Sequence, residues 1–193
     1  MKVVLIPCAA TEWREEGRLL GRVELSPCTD ARQECEEWAA ELQAAGLAQI
    51  YHGPDELSHE TARWLARWLT VPAKRADQLA EVDLGLWAGL TDQQLKSRYA
   101  SAHRELREAP LNVNPPEGEN LGDAEERLRA FVKKQLKRNG KAAVGLVLRP
   151  LSFAMLWRSL AGQQAPEVWE GMRHWPRPVV IDCSSEQPVF SGD

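Results

Sequence analysis

KVVLIPCAATEW, residues 2–13, opens the chain with four consecutive aliphatic residues followed by a proline and a cysteine. Such a run is typical of a strand that is buried on both faces of a parallel sheet. A second run of this kind, AAVGLVL, occupies residues 142–148. Cys8 follows the first run closely and Arg149 follows the second. Because ligands bind beyond the carboxyl ends of parallel strands, these two residues predict the place of a functional site.

Helical patterns alternate with the strands. Apolar residues recur at three- and four-residue steps in several segments: 30–45, 55–69, 91–108, 121–138 and 151–160. We expect a long loop over 7–29 and further short strands at 48–51 and 179–183. This alternation predicts an α/β fold, a three-layer α/β/α sandwich around a mostly parallel central sheet. Since no repeat, low-complexity segment or linker interrupts the pattern, we expect a single domain over residues 1–193.

The composition is that of an ordinary globular protein. The chain has 193 residues, of which 44% are apolar and 27% charged, with a net charge of −4. An acidic balance argues against a nucleic-acid partner, and no apolar run approaches the roughly 20 residues that span a bilayer. We therefore expect a cytoplasmic protein, a monomer or homodimer, that binds neither nucleic acid nor membranes.

The cysteines and histidines form no recognisable metal or disulfide pattern. No C-x-x-C pair occurs, and no histidine lies at a zinc-ligand spacing from a cysteine. Reduced, separately packed thiols are the simplest interpretation of the four cysteines. We predict no metal and no cofactor.

Several motifs resemble those of the histidine phosphatase (phosphoglycerate mutase-like) superfamily. Residues 81–91, EVDLGLWAGLT, are similar to its E-x-D-x-G-x-W-x-G-L-T stretch, which is the most specific part of the match. Thr11-Glu12-Trp13 follows the first strand as in that family, and Thr61-Ala62 resembles its second motif. Residues 115–120, PPEGEN, look like its proline-rich loop. The resemblance is clearest over residues 2–162.

The resemblance implies a phosphoglycerate mutase-like sandwich and phosphate-ester chemistry at the strand ends. In that family the first strand is followed by Arg-His-Gly-x-Thr, whose histidine attacks phosphorus. Two arginines hold the phosphate, a second histidine follows the late strand, and a glutamate donates a proton. These roles match the needs of phosphoryl transfer: a nucleophile, cationic clamps and an acid.

Most of these catalytic positions carry other residues here. The first arginine and the nucleophile fall on Pro7 and Cys8, the second arginine on Leu57, and the second histidine on Arg149. Only the acidic position keeps its residue type, as Glu81. We therefore predict a catalytically inactive member, a pseudoenzyme with a binding or regulatory role.

Two alternatives keep some chemistry at this place. Cys8 and Arg14 fit the C-x5-R spacing of cysteine-dependent phosphatases, so Cys8 could act as a nucleophile on a phosphate ester. Against this, the intervening loop lacks the glycines that let amides converge on phosphate.

The other alternative is anion binding without turnover. Arginines could hold a phosphorylated small molecule or anion, because a guanidinium fork suits phosphate. The candidates lie in the first loop and after the late strand: Arg14, Arg18, Arg22 and Arg149. They could equally pair with acids such as Glu12, Glu15 or Glu81 and close the pocket. A protein partner stays open as well.

Overall fold

The computed structural model describes residues 2–138, 142–165, 167–173 and 177–183. Its elements alternate as the sequence predicts, in the following order: β1 Lys2–Pro7, α1 Glu12–Glu15, α2 Ala31–Leu42, β2 Leu47–His52, α3 Glu56–Leu69, β3 Ala73–Arg75, α4 Asp92–Arg98, α5 Ala100–Glu108, α6 Leu121–Arg138, β4 Ala143–Leu148, α7 Pro150–Ala161, α8 Val168–Arg173 and β5 Val179–Asp182. Among the described residues, no helix is long and apolar enough to cross a bilayer.

The five strands form one sheet in the order β3-β2-β4-β1-β5. Strand β1 pairs with β4 in parallel, and β2 pairs in parallel with both β3 and β4. Only β5 runs antiparallel, alongside β1. The mostly parallel α/β sandwich predicted from the sequence is therefore confirmed.

The side chains of alternate residues of β1 pack into two separate hydrophobic cores. Val3 and Leu5 belong to one core, which holds the apolar faces of α6 and α7. Val4 and Ile6 belong to the other, which holds those of α2 and α3. This two-residue period explains why the strand reads as an unbroken apolar run, since both of its faces are covered by helices.

Three local expectations need correction. The loop predicted over 7–29 contains the short helix α1, capped by the Thr11 hydroxyl, which accepts a hydrogen bond from the Arg14 N–H. The helix predicted over 91–108 is broken into α4 and α5, because Tyr99 leaves the helical conformation at φ −134° and ψ 51°. Strand β3, with three exposed residues, carries too few apolar positions for its sequence to predict it.

Candidate functional site

Cys8 and Arg149 lie side by side at the carboxyl edge of the sheet. The pairing of β1 with β4 brings Pro7 opposite Leu148, and the Cys8 N–H donates to the Leu148 carbonyl at 2.9 Å. The two chemically distinctive strand ends therefore meet, as the strand pattern predicts.

Cys8 is completely buried. Its side chain packs in the core formed by α2 and α3, together with Ala9 and Leu57. Burial raises the pKa of the Cys8 thiol far above its ordinary value, and nearby Arg149 opposes the rise without cancelling it. The side chain is therefore a neutral thiol at physiological pH.

Leu57 lies in the first turn of α3 and is also fully buried. The neighbouring Thr61 fixes its relation to the end of β1. The Thr61 hydroxyl accepts a hydrogen bond from the Ala9 N–H at 2.9 Å and donates to the Leu57 carbonyl at 2.8 Å. An apolar side chain thus fills the position where the family resemblance implies a phosphate-binding arginine.

Arg149 is a buried cation with incomplete pairing. Its side chain is 1% exposed. Its Nη1 donates to the Val23 carbonyl at 2.9 Å and lies 3.7 Å from Asp55 Oδ1. Among the described residues, its Nε and Nη2 have no hydrogen-bond partner. The first loop thus folds over Arg149 and covers it.

Glu81 serves the fold as an acceptor for the start of α7. Its Oε1 accepts from the Ser152 N–H at 2.8 Å and from the Ser152 hydroxyl at 2.7 Å, and its Oε2 accepts from the Leu151 N–H at 3.0 Å. The Val82 N–H adds a bond to Oε1 at 2.8 Å. The buried carboxylate therefore satisfies helix N–H groups that would otherwise lack partners.

Arg22 connects the first loop to the rest of the frame. Its Nε donates to the Glu81 carbonyl at 2.8 Å and its Nη2 to Glu119 Oε2 at 2.7 Å. Glu119 also accepts from Nε and Nη2 of Arg127, at 3.1 and 2.9 Å. The guanidinium of Arg22 therefore holds loops together beside the strand ends.

Arg18 binds Glu16 through Nε and donates from Nη1 to the Gly89 carbonyl at 2.9 Å. Arg14 is half-buried, and burial lowers its pKa to about 10, against the attraction of Glu34 and Glu15. The arginine candidates are thus distributed around the strand ends, with acids beside them. Of the acids expected to pair with them, Glu15 lies near Arg14. The other arginines have acids that were not expected: Arg18 contacts Glu16, Arg22 contacts Glu119 and Arg149 lies near Asp55.

The family's reacting positions together form a closed cluster. Cys8, Leu57, Arg149 and Glu81 are all at most 2% exposed. A phosphate ester has no exposed nucleophile, and no exposed acid, to meet at these positions.

One group of side chains able to ligate a metal occurs among the described residues, and it lies elsewhere. Glu56, His59 and Glu60 share the surface of α3, with ligand atoms within 4.8 Å of one another. Glu60 already pairs with Arg63 at 2.6 Å. The group takes no part in the buried cluster.

Two residues that contact the cluster are not predicted from the sequence as part of the site. Asp55 caps α3, since its Oδ1 accepts from the Ser58 N–H at 3.0 Å, and it is the nearest countercharge to Arg149. Ser152 shares the Glu81 carboxylate. An aspartate just before the first turn of a helix does signal an N-cap, but the contact with Arg149 depends on tertiary structure.

Comparisons with known proteins agree with this architecture. Phosphoserine phosphatase 1 of Hydrogenobacter thermophilus is 24% identical over 169 residues, 88% of this chain and 80% of that protein. YhfR of Bacillus stearothermophilus has a similar structure, with a TM-score of 0.79 and 22% identity over 95% of this chain and 92% of that one. The structure of a mycobacterial glucosyl-3-phosphoglycerate phosphatase solved with VO3 has a TM-score of 0.74 and 21% identity, over 88% of this chain and 84% of that one.

A family model matches almost the whole chain. The model of the histidine phosphatase superfamily (branch 1) matches residues 3–190. That range includes both strand ends, the 81–91 stretch and the proline-rich loop. The chain therefore belongs to the histidine phosphatase superfamily.

Proposed function

We propose that this protein is a catalytically silent member of its superfamily, with a binding or regulatory role. The observation that carries the proposal is the closed cluster at the strand ends, in which Cys8, Leu57 and Arg149 replace reacting residues and are buried. Relatives named as phosphatases share the frame, but the frame alone supplies no nucleophile.

Phosphoryl transfer places three demands on a site, and the cluster presents no exposed group for any of them. An activated nucleophile must reach phosphorus, cationic groups must hold the equatorial oxygens, and an acid must protonate the leaving oxygen. The proline at position 7 and Leu57 offer no charge. Glu81, which keeps the acidic residue type, has its carboxylate occupied by four hydrogen bonds.

The geometry argues against Cys8 as a replacement nucleophile. A thiolate is the reactive form, and burial raises the pKa of Cys8 far above neutrality. Its side chain has no exposed surface through which an ester could approach.

Turnover of phosphate esters tests the proposal. The wild-type protein would be assayed with p-nitrophenyl phosphate, phosphoserine and 3-phosphoglycerate, beside Cys8→Ala and the matched buried-thiol control Cys35→Ala. We expect all three proteins to give the same background rate. A rate that Cys8→Ala abolishes and Cys35→Ala retains would overturn the proposal in favour of cysteine catalysis. A rate well above the protein-free background that both variants retain would overturn it in favour of a nucleophile elsewhere.

Anion binding at the strand ends is a second candidate function. The Nε and Nη2 atoms of Arg149 favour it, because buried polar atoms usually have partners and these two have none among the described residues. Isothermal titration with inorganic phosphate would show heat that is lost in Arg149→Met. No heat with the wild-type protein would eliminate this candidate.

The cellular setting belongs to the same proposal. The four cysteines are unpaired, and Cys8 and Cys35 are buried as small hydrophobic side chains. Free thiols suit a reducing compartment, which supports a cytoplasmic location. A protein partner and a monomeric or homodimeric state are proposed on the sequence analysis alone.

A further inference from the structure

A separate cavity lies beside the closed cluster. Its volume is about 180 Å³, and it is bounded by the first loop, the starts of α4 and α7, and helix α8. An engineered apolar cavity of about 150 Å³ in another protein holds benzene. The cavity here is therefore large enough for one six-membered ring that carries a small polar group.

The wall of the cavity is mainly apolar and includes one fixed aromatic side chain. Leu19, Leu20, Pro150 and Met172 contribute aliphatic or thioether surface. Trp169 is buried, and its Nε1 donates to Asp92 Oδ1 at 3.2 Å. The His103 ring meets it edge-on, with centroids 6.0 Å apart at 82°. Held from two sides, the indole is a rigid surface against which a ring can pack.

Arginines provide the polar side of the cavity. Arg18 lines it, and two contacts hold its guanidinium: Nε with Glu16 and Nη1 with the Gly89 carbonyl. Its Nη2 makes no hydrogen bond within the part of the chain that the structure describes. Arg14 also lines the cavity and adds a second positive charge.

The remaining charge in the lining limits which anions can bind. Asp92 also lines the cavity, and its Oδ1 contacts both His103 Nε2 at 2.8 Å and Trp169 Nε1. This carboxylate disfavours a dianion more than a monoanion. Arg18, a cation in a mainly apolar lining, suits a single carboxylate on an apolar body.

We propose that the cavity is a binding site for small aromatic monocarboxylates, with the carboxylate on Arg18 and the ring between Trp169 and Met172. A thioether beside an aromatic ring is a favourable contact, which suits this orientation. The site gives the closed member of the superfamily a ligand that it would bind without transforming. The inference rests on a binding role, but not on the loss of turnover.

Isothermal titration with phenylacetate tests the site directly. Phenylacetamide, which has nearly the same shape and no charge, is the matched control ligand. We expect phenylacetate to bind at least tenfold more tightly than the amide, because the charge-assisted hydrogen bond to Arg18 is lost with the amide. Equal affinity for the two ligands, or no binding of either, would overturn the proposal.

Variants locate the binding. Arg18→Gln is expected to weaken phenylacetate binding at least tenfold, and Met172→Trp to abolish it by filling the cavity. Arg67→Gln, an exposed arginine on α3, is the control and leaves binding unchanged. If circular dichroism shows that Arg18→Gln is unfolded, Arg18→Lys replaces it and is expected to weaken binding less. Binding that survives in both cavity variants would place the ligand elsewhere and overturn the proposal.

Inorganic phosphate provides the last comparison. We expect excess phosphate to leave phenylacetate binding unchanged, whereas full competition would show a general anion site and contradict the carboxylate assignment. No turnover is measured in these titrations. A negative titration would therefore not contradict the proposed loss of turnover at the strand ends. Conversely, turnover of an ester would not contradict the binding site in the cavity.

Discussion

Two neighbouring regions of this protein are built in different ways. Where residues 81–91 meet the 115–119 loop, the contacts are mainly between backbones: the Leu86 N–H donates to the Pro116 carbonyl at 3.0 Å, and the Glu119 N–H donates to the Asp83 carbonyl at 2.8 Å. At the ends of β1 and β4, by contrast, buried side chains fill the space. Close backbone contacts restrict the residue types of the first region, whereas the second is filled by the buried side chains of Cys8, Leu57 and Arg149.

Glycines show how strict the first region is. A Cβ atom on Gly85 would lie 2.1 Å from the Pro116 carbonyl oxygen, and one on Gly118 would lie 2.5 Å from the Asp83 oxygen. The ring of Trp13 packs on Gly89, where an added Cβ atom would lie 3.0 Å from the nearest ring carbon. These glycines therefore have a steric role in the fold that does not depend on catalysis.

Glu81→Ala tests this distinction with the largest expected effect. The substitution leaves the buried N–H groups of Leu151 and Ser152 without acceptors, so we expect a loss of about 3–5 kcal/mol in the free energy of unfolding. Urea denaturation measures it. The matched control is Glu119→Ala, a carboxylate that also accepts four hydrogen bonds, one of them from the Asp83 N–H, but has better access to water, and for it we expect about 1–2 kcal/mol. Equal losses would show that Glu81 is not a structural anchor.

Gly85→Ala probes the backbone contact itself. Gly85 has φ +46° and faces the Pro116 oxygen, so both strain and overlap oppose a side chain, and we expect a loss of about 3 kcal/mol in unfolding free energy. Gly46→Ala is the control, because Gly46 has φ +61° with open space around it. In Gly46→Ala we expect only the cost of the left-handed backbone conformation, about 1 kcal/mol in unfolding free energy. Thermal denaturation of the two variants side by side separates the terms, and similar melting temperatures would refute the close approach.

The buried thiols make stability depend on alkaline pH. Burial raises the pKa of Cys8 far above 9.0 and that of Cys35 to about 12. The contribution of these thiols to folding stability is fully present below about pH 9, the pKa of a thiol in the unfolded chain. Above that pH it is progressively lost, because the thiols ionise in the unfolded chain but not in the folded one. Each thiol should cost about 1.4 kcal/mol per pH unit. Urea titrations from pH 8 to 11 should show a shallower decline in a Cys8→Ala/Cys35→Ala variant, and identical slopes would exclude buried thiols.

Arg149→Met is expected to have the smallest effect. The guanidinium is buried, and two of its nitrogens have no partner among the residues that the structure describes, so an apolar side chain of similar length should change the unfolding free energy by no more than about 1 kcal/mol. Asp55→Ala is the informative partner. It removes the α3 cap and the countercharge together, for which we expect about 2–4 kcal/mol. A cost for Arg149→Met that matches Asp55→Ala would show a strong ion pair instead.

The sequence predicts the fold well because its signals are local. Apolar runs covered on both faces identify β1 and β4, and periodicity identifies the helices that cover them. The signals fail where tertiary contacts decide. β3 has an exposed sequence, and its parallel pairing with β2 follows no apolar pattern. The break at Tyr99 has no glycine or proline to announce it.

In the candidate site, too, local signals predict one part and tertiary contacts determine the other. The placement of Cys8 beside Arg149 follows from strand order, which sequence patterns reveal. The closure of the site depends on Val23 and Asp55, which lie 126 and 94 residues from Arg149 along the chain. No local pattern relates residues so far apart, so the partners of an arginine become known only from the structure.

A crystal structure of the protein soaked in vanadate would show whether the strand ends can hold a phosphoryl group. Vanadate mimics the phosphoryl group in transfer, and bound vanadate would mark any reacting atom. We predict no vanadium near Cys8, with Arg149 still donating to the Val23 carbonyl at about the present 2.9 Å. Vanadate bonded to Cys8 Sγ, with the first loop displaced, would contradict the account of a closed and silent centre.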